Sequence, residues 1–119
     1  MSRHLILAAM LSAILAPSPS AFAQRAACEG DGYRKGLCLY RQRQYLEAEK
    51  ILTVVVAANA EDPVTLRAKY FLARTEMKLG NWDKASGHLI EIYALSPLFY
   101  KEWSCDFLLG ESRKGLGEE

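Results

Sequence analysis

Few residues in this 119-residue chain have the types and spacing that catalysis or metal binding needs. The chain has no Gly-x-Ser-x-Gly elbow, no His-Glu-x-x-His pair and no phosphate loop. Glu29-Gly30-Asp31-Gly32 has the composition of a loop, but no Gly-Lys-Ser/Thr comes after it, so it reads as a linker and helix start. His88 has Glu91 three residues on and Cys105 further along, a conceivable metal or catalytic set. A lone histidine beside apolar neighbours is more often a packing or surface residue, and that reading is preferred. These residues imply no metal and no cofactor, and they argue against an enzyme. What remains is a row of aromatics, Tyr33, Tyr70 and Phe107, spaced 37 apart, and three cysteines at 28, 38 and 105.

The cysteines gain meaning from the N-terminus. Arg3 and His4 precede a 12-residue apolar run over residues 5–16, a Pro-Ser-Pro-Ser break, and Ala21-Phe22-Ala23 before Gln24. That is the layout of a removable secretory signal over residues 1–23. The run spans about 18 Å as a helix, too short for a ~30 Å hydrocarbon core, so no stable membrane insertion is expected after cleavage. A retained anchor and a lipid on Cys28 are the alternatives; Arg25 stands where the lipoprotein pattern wants leucine. The style of the signal suggests a Gram-negative periplasm. An oxidising compartment favours one disulfide and one leftover thiol. Cys28–Cys38 is the leading pair, provided the segment before Asp31 folds back along the first helix. The other reading is three buried, reduced cysteines.

Cleavage leaves 96 residues, enough for one domain, with 14 basic and 14 acidic groups. A neutral domain is not built to hold nucleic acid or anionic lipid over its whole surface.

Self-similarity along the chain indicates the scaffold that carries these groups. Under a shift of 37, Gly36, Ala73 and Gly110 align, Tyr45 falls on Trp82, Ala48 on Ala85, Leu52 on Leu89 and Val55 on Ile92. Such periods indicate a solenoid of stacked helix pairs. Asp62 and Pro63 start a helix over 64–79, Gly80 stops it, and Asn81 caps a second one with an apolar stripe. Helices over about 31–42 and 45–58 form the first pair, with Val54-Val55-Val56 helical despite its strand-like composition. Ser96-Pro97 opens one more helix, ending near Gly115 or Gly117. The small residues at 36, 73 and 110, and at 48 and 85, imply close helix contacts. The expectation is an all-α domain over 31–119, after a 24–30 linker, with five helices in two and a half units at about 31–60, 63–96 and 97–119.

These positions resemble the tetratricopeptide repeat. Ala73, Gly80, Trp82, Ala85, Leu89 and Pro97 supply that motif's small residue, glycine, aromatic, alanine, large apolar residue and proline in order. The first unit has Gly36, Tyr45, Ala48 and Leu52, but Arg43 and Ala60 replace the glycine and the proline; the third has Leu109-Gly110 and Gly117. The run 107–112 also looks like repeats of periplasmic envelope proteins, the group of the Tol–Pal-associated cell-division coordinator and the outer-membrane assembly lipoprotein.

The resemblance implies a binding scaffold whose first helices line a concave groove. Its groove positions fall on Tyr33, Leu37, Tyr40, Arg41, Arg67, Tyr70, Arg74, Met77, Lys78, Phe107, Glu111 and Lys114, five basic residues against one acidic. The carboxylate-clamping asparagine of some members is replaced by Arg34, Phe71 and Leu108. The implied partner is a peptide or protein segment with apolar anchors and acidic residues. The alternative function is a small structural module that self-associates or caps a larger envelope assembly through its exposed ends.

Overall fold

The computed structural model of the chain describes residues 27–58 and 62–118. The expected export signal over 1–23 and its cleavage before Gln24 lie outside the described residues. Among the described residues the chain forms six α-helices and no strand: α1 Gly32–Arg41, α2 Tyr45–Ala58, α3 Pro63–Lys78, α4 Trp82–Leu95, α5 Pro97–Glu102 and α6 Cys105–Gly115. No helix among them is long and apolar enough to cross a membrane.

Local chemistry sets the boundaries. Asp62 Oδ1 accepts the Val64 N–H at 2.9 Å with Pro63 at the first helical position, which starts α3. Ser96 Oγ accepts the Phe99 N–H at 3.1 Å and Pro97 comes next, which starts α5. Val54, Val55 and Val56 are helical within α2.

Three helices end alike. α1, α3 and α6 stop at Arg41, Lys78 and Gly115, and residues 43, 80 and 117 then adopt left-handed backbone with φ of 62°, 78° and 83°. After α1, the Arg43 N–H donates to the Tyr40 carbonyl at 2.9 Å and the Gln44 N–H to Leu39 at 2.9 Å. Gly80 and Asn81 repeat those bonds to Met77 and Glu76 at 3.1 and 2.8 Å, and Gly117 and Glu118 to Lys114 and Arg113 at 2.9 and 2.8 Å. This paired bonding satisfies carbonyls that the helix leaves orphaned. α2 and α4 each have 14 residues and start at positions 45 and 82.

The helices pack in chain order, α1 on α2, α2 on α3, α3 on α4 and α4 on α6, with α5 wedged beside α4 and α6. Two apolar clusters result. Leu39, Ala48, Leu52, Ala68 and Leu72 form the first, and Tyr70, Ala73, Leu89, Ile92 and Cys105 the second. Phe71 packs against both. α1 lies so close to α2 that a Cβ added at Gly36 would run into the Leu52 side chain.

The third unit departs from expectation in two ways. Its expected single helix is two, because Trp103 closes α5 and Ser104 turns left-handed at φ 52° before α6 begins. Phe99 and Trp103, four residues apart on α5 and its cap, fall on one face and stack at 4.8 Å, and Trp103 meets Tyr70 edge-on at 4.9 Å. The count is therefore six helices, not five. Second, Gly110 makes no close contact: nothing lies within 4 Å of a Cβ placed there. Gly36 meets the second helix of its own pair, and no such helix lies over Gly110 among the described residues. The tight approach occurs at Gly115, where the Trp82 ring occupies the space a Cβ would need.

Candidate functional site

The first helices bring together much of the expected groove. Arg67 on α3 lies over the Tyr33 ring of α1 at 6.0 Å. Arg74 lies over Tyr40 at 5.8 Å and over Tyr70 at 5.7 Å, and its Nη1 donates to the Tyr70 hydroxyl at 3.2 Å. Each cation thus rests on the negative face of an aromatic ring. Tyr33 and Tyr40 flank Phe71 at 6.3 and 5.4 Å. Leu37 and Met77 are half-buried, and Arg41 and Lys78 are exposed. Arg74, Met77 and Lys78 share a pocket of about 200 Å³ with Trp82 and Leu108, which ties α6 to the same face.

Electrostatics reflect this packing. Burial raises the Tyr33 hydroxyl above its ordinary range, and the nearby charges of Arg67 and Arg41 oppose that shift. Burial works against the Arg74 charge, but the Tyr70 hydrogen bond and the Tyr40 ring hydroxyl outweigh it, so its pKa rises. Arg67 Nε is buried with no hydrogen-bond partner among the described residues.

The aromatic row does not form one surface. Tyr33 is half-buried, Tyr70 is 8 % exposed and Phe107 is 66 % exposed. The physical reason lies in the later helices that cover two of the rings and spare the third. Tyr33 is covered by Arg67 and Phe71 of α3, and Tyr70 by Phe99 and Trp103. Among the described residues no further element lies over Phe107. Tyr70 is thus a core ring whose hydroxyl accepts from Arg74. Lys114 is exposed and sits 3.8 Å from Glu111 on α6.

Cys28 and Cys38 are joined by a disulfide that ties the segment before α1 back onto that helix. Cys105 is free and fully buried, and burial pushes its thiol up to about 11. It packs in the second apolar cluster.

A polar cleft on the other side of α3 is a site that no sequence motif marks. It has a volume of about 670 Å³ and lies between α2, α3 and α4. Lys69, 4 % exposed, donates to Glu91 Oε2 at 2.9 Å, and His88 Nδ1 lies 3.8 Å from the other oxygen. Burial lowers the His88 pKa despite Glu91, with Lys69 and Lys84 adding to the effect. Glu76, 2 % exposed, accepts from Asn81 Nδ2 at 2.9 Å and shares a hydrogen bond with Glu49. Burial and then Glu49 lift its carboxyl from 4.5 to about 7. One indirect signal for this does exist in the sequence: Glu76 is 37 residues after Leu39, a core position. Among the described residues no group of three His, Cys, Asp or Glu is placed to hold a metal ion.

No protein-family model, no curated protein and no solved structure matches this chain.

Proposed function

We propose that this is an exported helical-repeat scaffold of tetratricopeptide type, which binds a peptide or protein segment on the face formed by α1, α3 and α6. The fold reading draws support from helix ends and left-handed turns that recur at 43, 80 and 117, with the same pair of backbone hydrogen bonds each time. The observation that carries the function is the arginine–tyrosine face. The Arg67 and Arg74 guanidinium groups of α3 lie over the Tyr33 and Tyr40 rings of α1 at 6.0 and 5.8 Å, and among the described residues Arg67 Nε has no hydrogen-bond partner. A guanidinium fixed in this way loses little entropy on meeting a carboxylate, and its fork matches that group's two oxygens. The partner is therefore a segment with acidic residues and apolar anchors. Tyr33, Leu37, Tyr40, Met77 and Lys78 supply the contact area, while buried Tyr70 serves as scaffold. The working compartment is the periplasm, and no cofactor takes part.

A photocrosslinker at Lys78, exposed on this face, tests the reading. In periplasm it should capture a partner that is lost in Arg67→Glu/Arg74→Glu, while a crosslinker at Leu46 should capture none. Equal capture from both positions, or capture indifferent to the charge reversal, sinks the proposal.

A further inference from the structure

The exposed face of α6 has the layout of a face that is buried elsewhere in the same molecule. On α3, Lys69, Ala73 and Glu76 are 4, 0 and 2 % exposed, and α4 packs over them. The residues 37 positions later are Asp106, Gly110 and Arg113, and all three are exposed on α6. Phe107, on the same side, is 66 % exposed, and Leu116 beyond it 44 %. The closing Lys69–Glu91 ion pair of the α3 face has no counterpart here: Asp106 and Arg113 form no ion pair among the described residues. Space is also left at the centre, since nothing lies within 4 Å of a Cβ on Gly110.

The charge order says what covers this face. Asp106, Gly110 and Arg113 fall on one helical stripe, by the three- and four-residue steps that bring side chains to one side of a helix. Two copies of that stripe run antiparallel about a two-fold axis at Gly110 set Asp106 of each beside Arg113 of the other. On the opposite edge of the stripe, Phe107 of each copy meets the Lys114 stem of the other. Gly110 crosses Gly110, where the absence of side chains permits close approach of the backbones. We propose that two copies of the protein dimerise through an antiparallel, isologous α6–α6 contact centred on Gly110, closed by reciprocal Asp106–Arg113 pairs. This is a closed C2 contact, so it forms dimers and does not propagate into filaments. It occupies the Phe107 and Lys114 edge of α6 but none of the α1 and α3 residues that form the arginine–tyrosine contacts, so its test reads separately from theirs.

The test is the mass in solution of the protein as the host processes it, by sedimentation over micromolar to millimolar concentrations. The unaltered protein should reach twice its protomer mass. Asp106→Arg alone and Arg113→Asp alone should each be monomers, because each puts like charges across the axis. Mixed together they should form a heterodimer, since the Asp106→Arg chain then carries arginine at both places and the Arg113→Asp chain aspartate at both. Gly110→Leu should be a folded monomer, because its side chain enters open space within the protomer but blocks the crossing; circular dichroism checks that it folds. A monomer at every concentration, dimers that survive Gly110→Leu, or a mixture of the two charge variants that stays monomeric overturns the proposal.

Discussion

Arg43 holds the left-handed backbone that Gly80 holds 37 residues later, at φ 62° against 78°. The turn is the same, down to both of its backbone hydrogen bonds, yet only one site has the residue suited to it. Left-handed backbone costs a residue with a Cβ roughly 1–2 kcal/mol, partly offset because glycine loses more freedom on folding. Arg43→Gly should therefore stabilise the domain by about 0.5–1 kcal/mol, which is several degrees in melting temperature at this size. Gly80→Ala should destabilise by about 1 kcal/mol through the backbone alone, because nothing lies within 4 Å of the added Cβ. Thermal unfolding of both variants checks the pair; shifts of equal sign would count against the strain argument.

Glycine inside a helix gives a second test with opposite signs. At Gly36 a Cβ collides with Leu52, whereas at Gly87 on α4 it meets nothing within 4 Å. Gly36→Ala should cost about 1–3 kcal/mol as overpacking between α1 and α2. Gly87→Ala should stabilise by about 0.5–1 kcal/mol through helix propensity. Chemical denaturation measures both, and a neutral Gly36→Ala would show that the two helices separate at little cost.

The helix ends are legible in residue type alone: Asp62-Pro63, Ser96-Pro97, Gly80 and Gly117 each mark a boundary by backbone chemistry that acts locally. The α1–α2 approach at Gly36 is legible too, because a small residue recurs there. The burial of Tyr70 is not, since it depends on Phe99 and Trp103, rings of a later helix that no neighbour of Tyr70 in the sequence signals. The open space at Gly110 is equally hidden, because a small residue records that a contact is permitted and not that one is made. The Glu76–Glu49 pair joins residues 27 apart on two helices, and its one trace in the sequence is that Glu76 stands 37 residues after the core position Leu39.

The cysteines should behave as two classes. The Cys28–Cys38 loop has a separation of 10, and closing a loop of about that size is worth roughly 2–3 kcal/mol in the chain-entropy account. The double variant Cys28→Ala/Cys38→Ala should lose stability of that order and leave the α3–α6 cluster intact. Cys105, with its thiol raised by burial, should resist alkylation at pH 8 and react only on unfolding. Mass spectrometry after pulse alkylation separates these outcomes: rapid labelling of Cys105 in the native protein would place it outside the core.

Glu76 and His88 make stability depend on pH in opposite directions. The Glu76 carboxyl has an ordinary value of 4.5 when the chain is unfolded and about 7 when folded. The folded chain thus binds more protons between those values, so the Glu76 contribution is full below pH 4.5 and is lost as pH rises through 7. His88 is lowered from 6.5, so its contribution is present above 6.5 and is lost as pH falls through its folded value. Glu76→Gln keeps the acceptor for Asn81 and removes the charge. It should match the parent protein at pH 4 and exceed it at pH 8, by an amount on the order of 1 kcal/mol after allowance for solvent reaching the cleft. Glu49→Gln should shift the Glu76 titration downward, because it removes the neighbouring charge, yet leave it above the ordinary value, because burial is the larger cause. A carboxyl-carbon NMR titration reads Glu76 directly. A midpoint between 4 and 5 in the folded parent protein would mean that water enters the cleft freely, and the pH dependence of stability would then lose its steep fall toward neutrality.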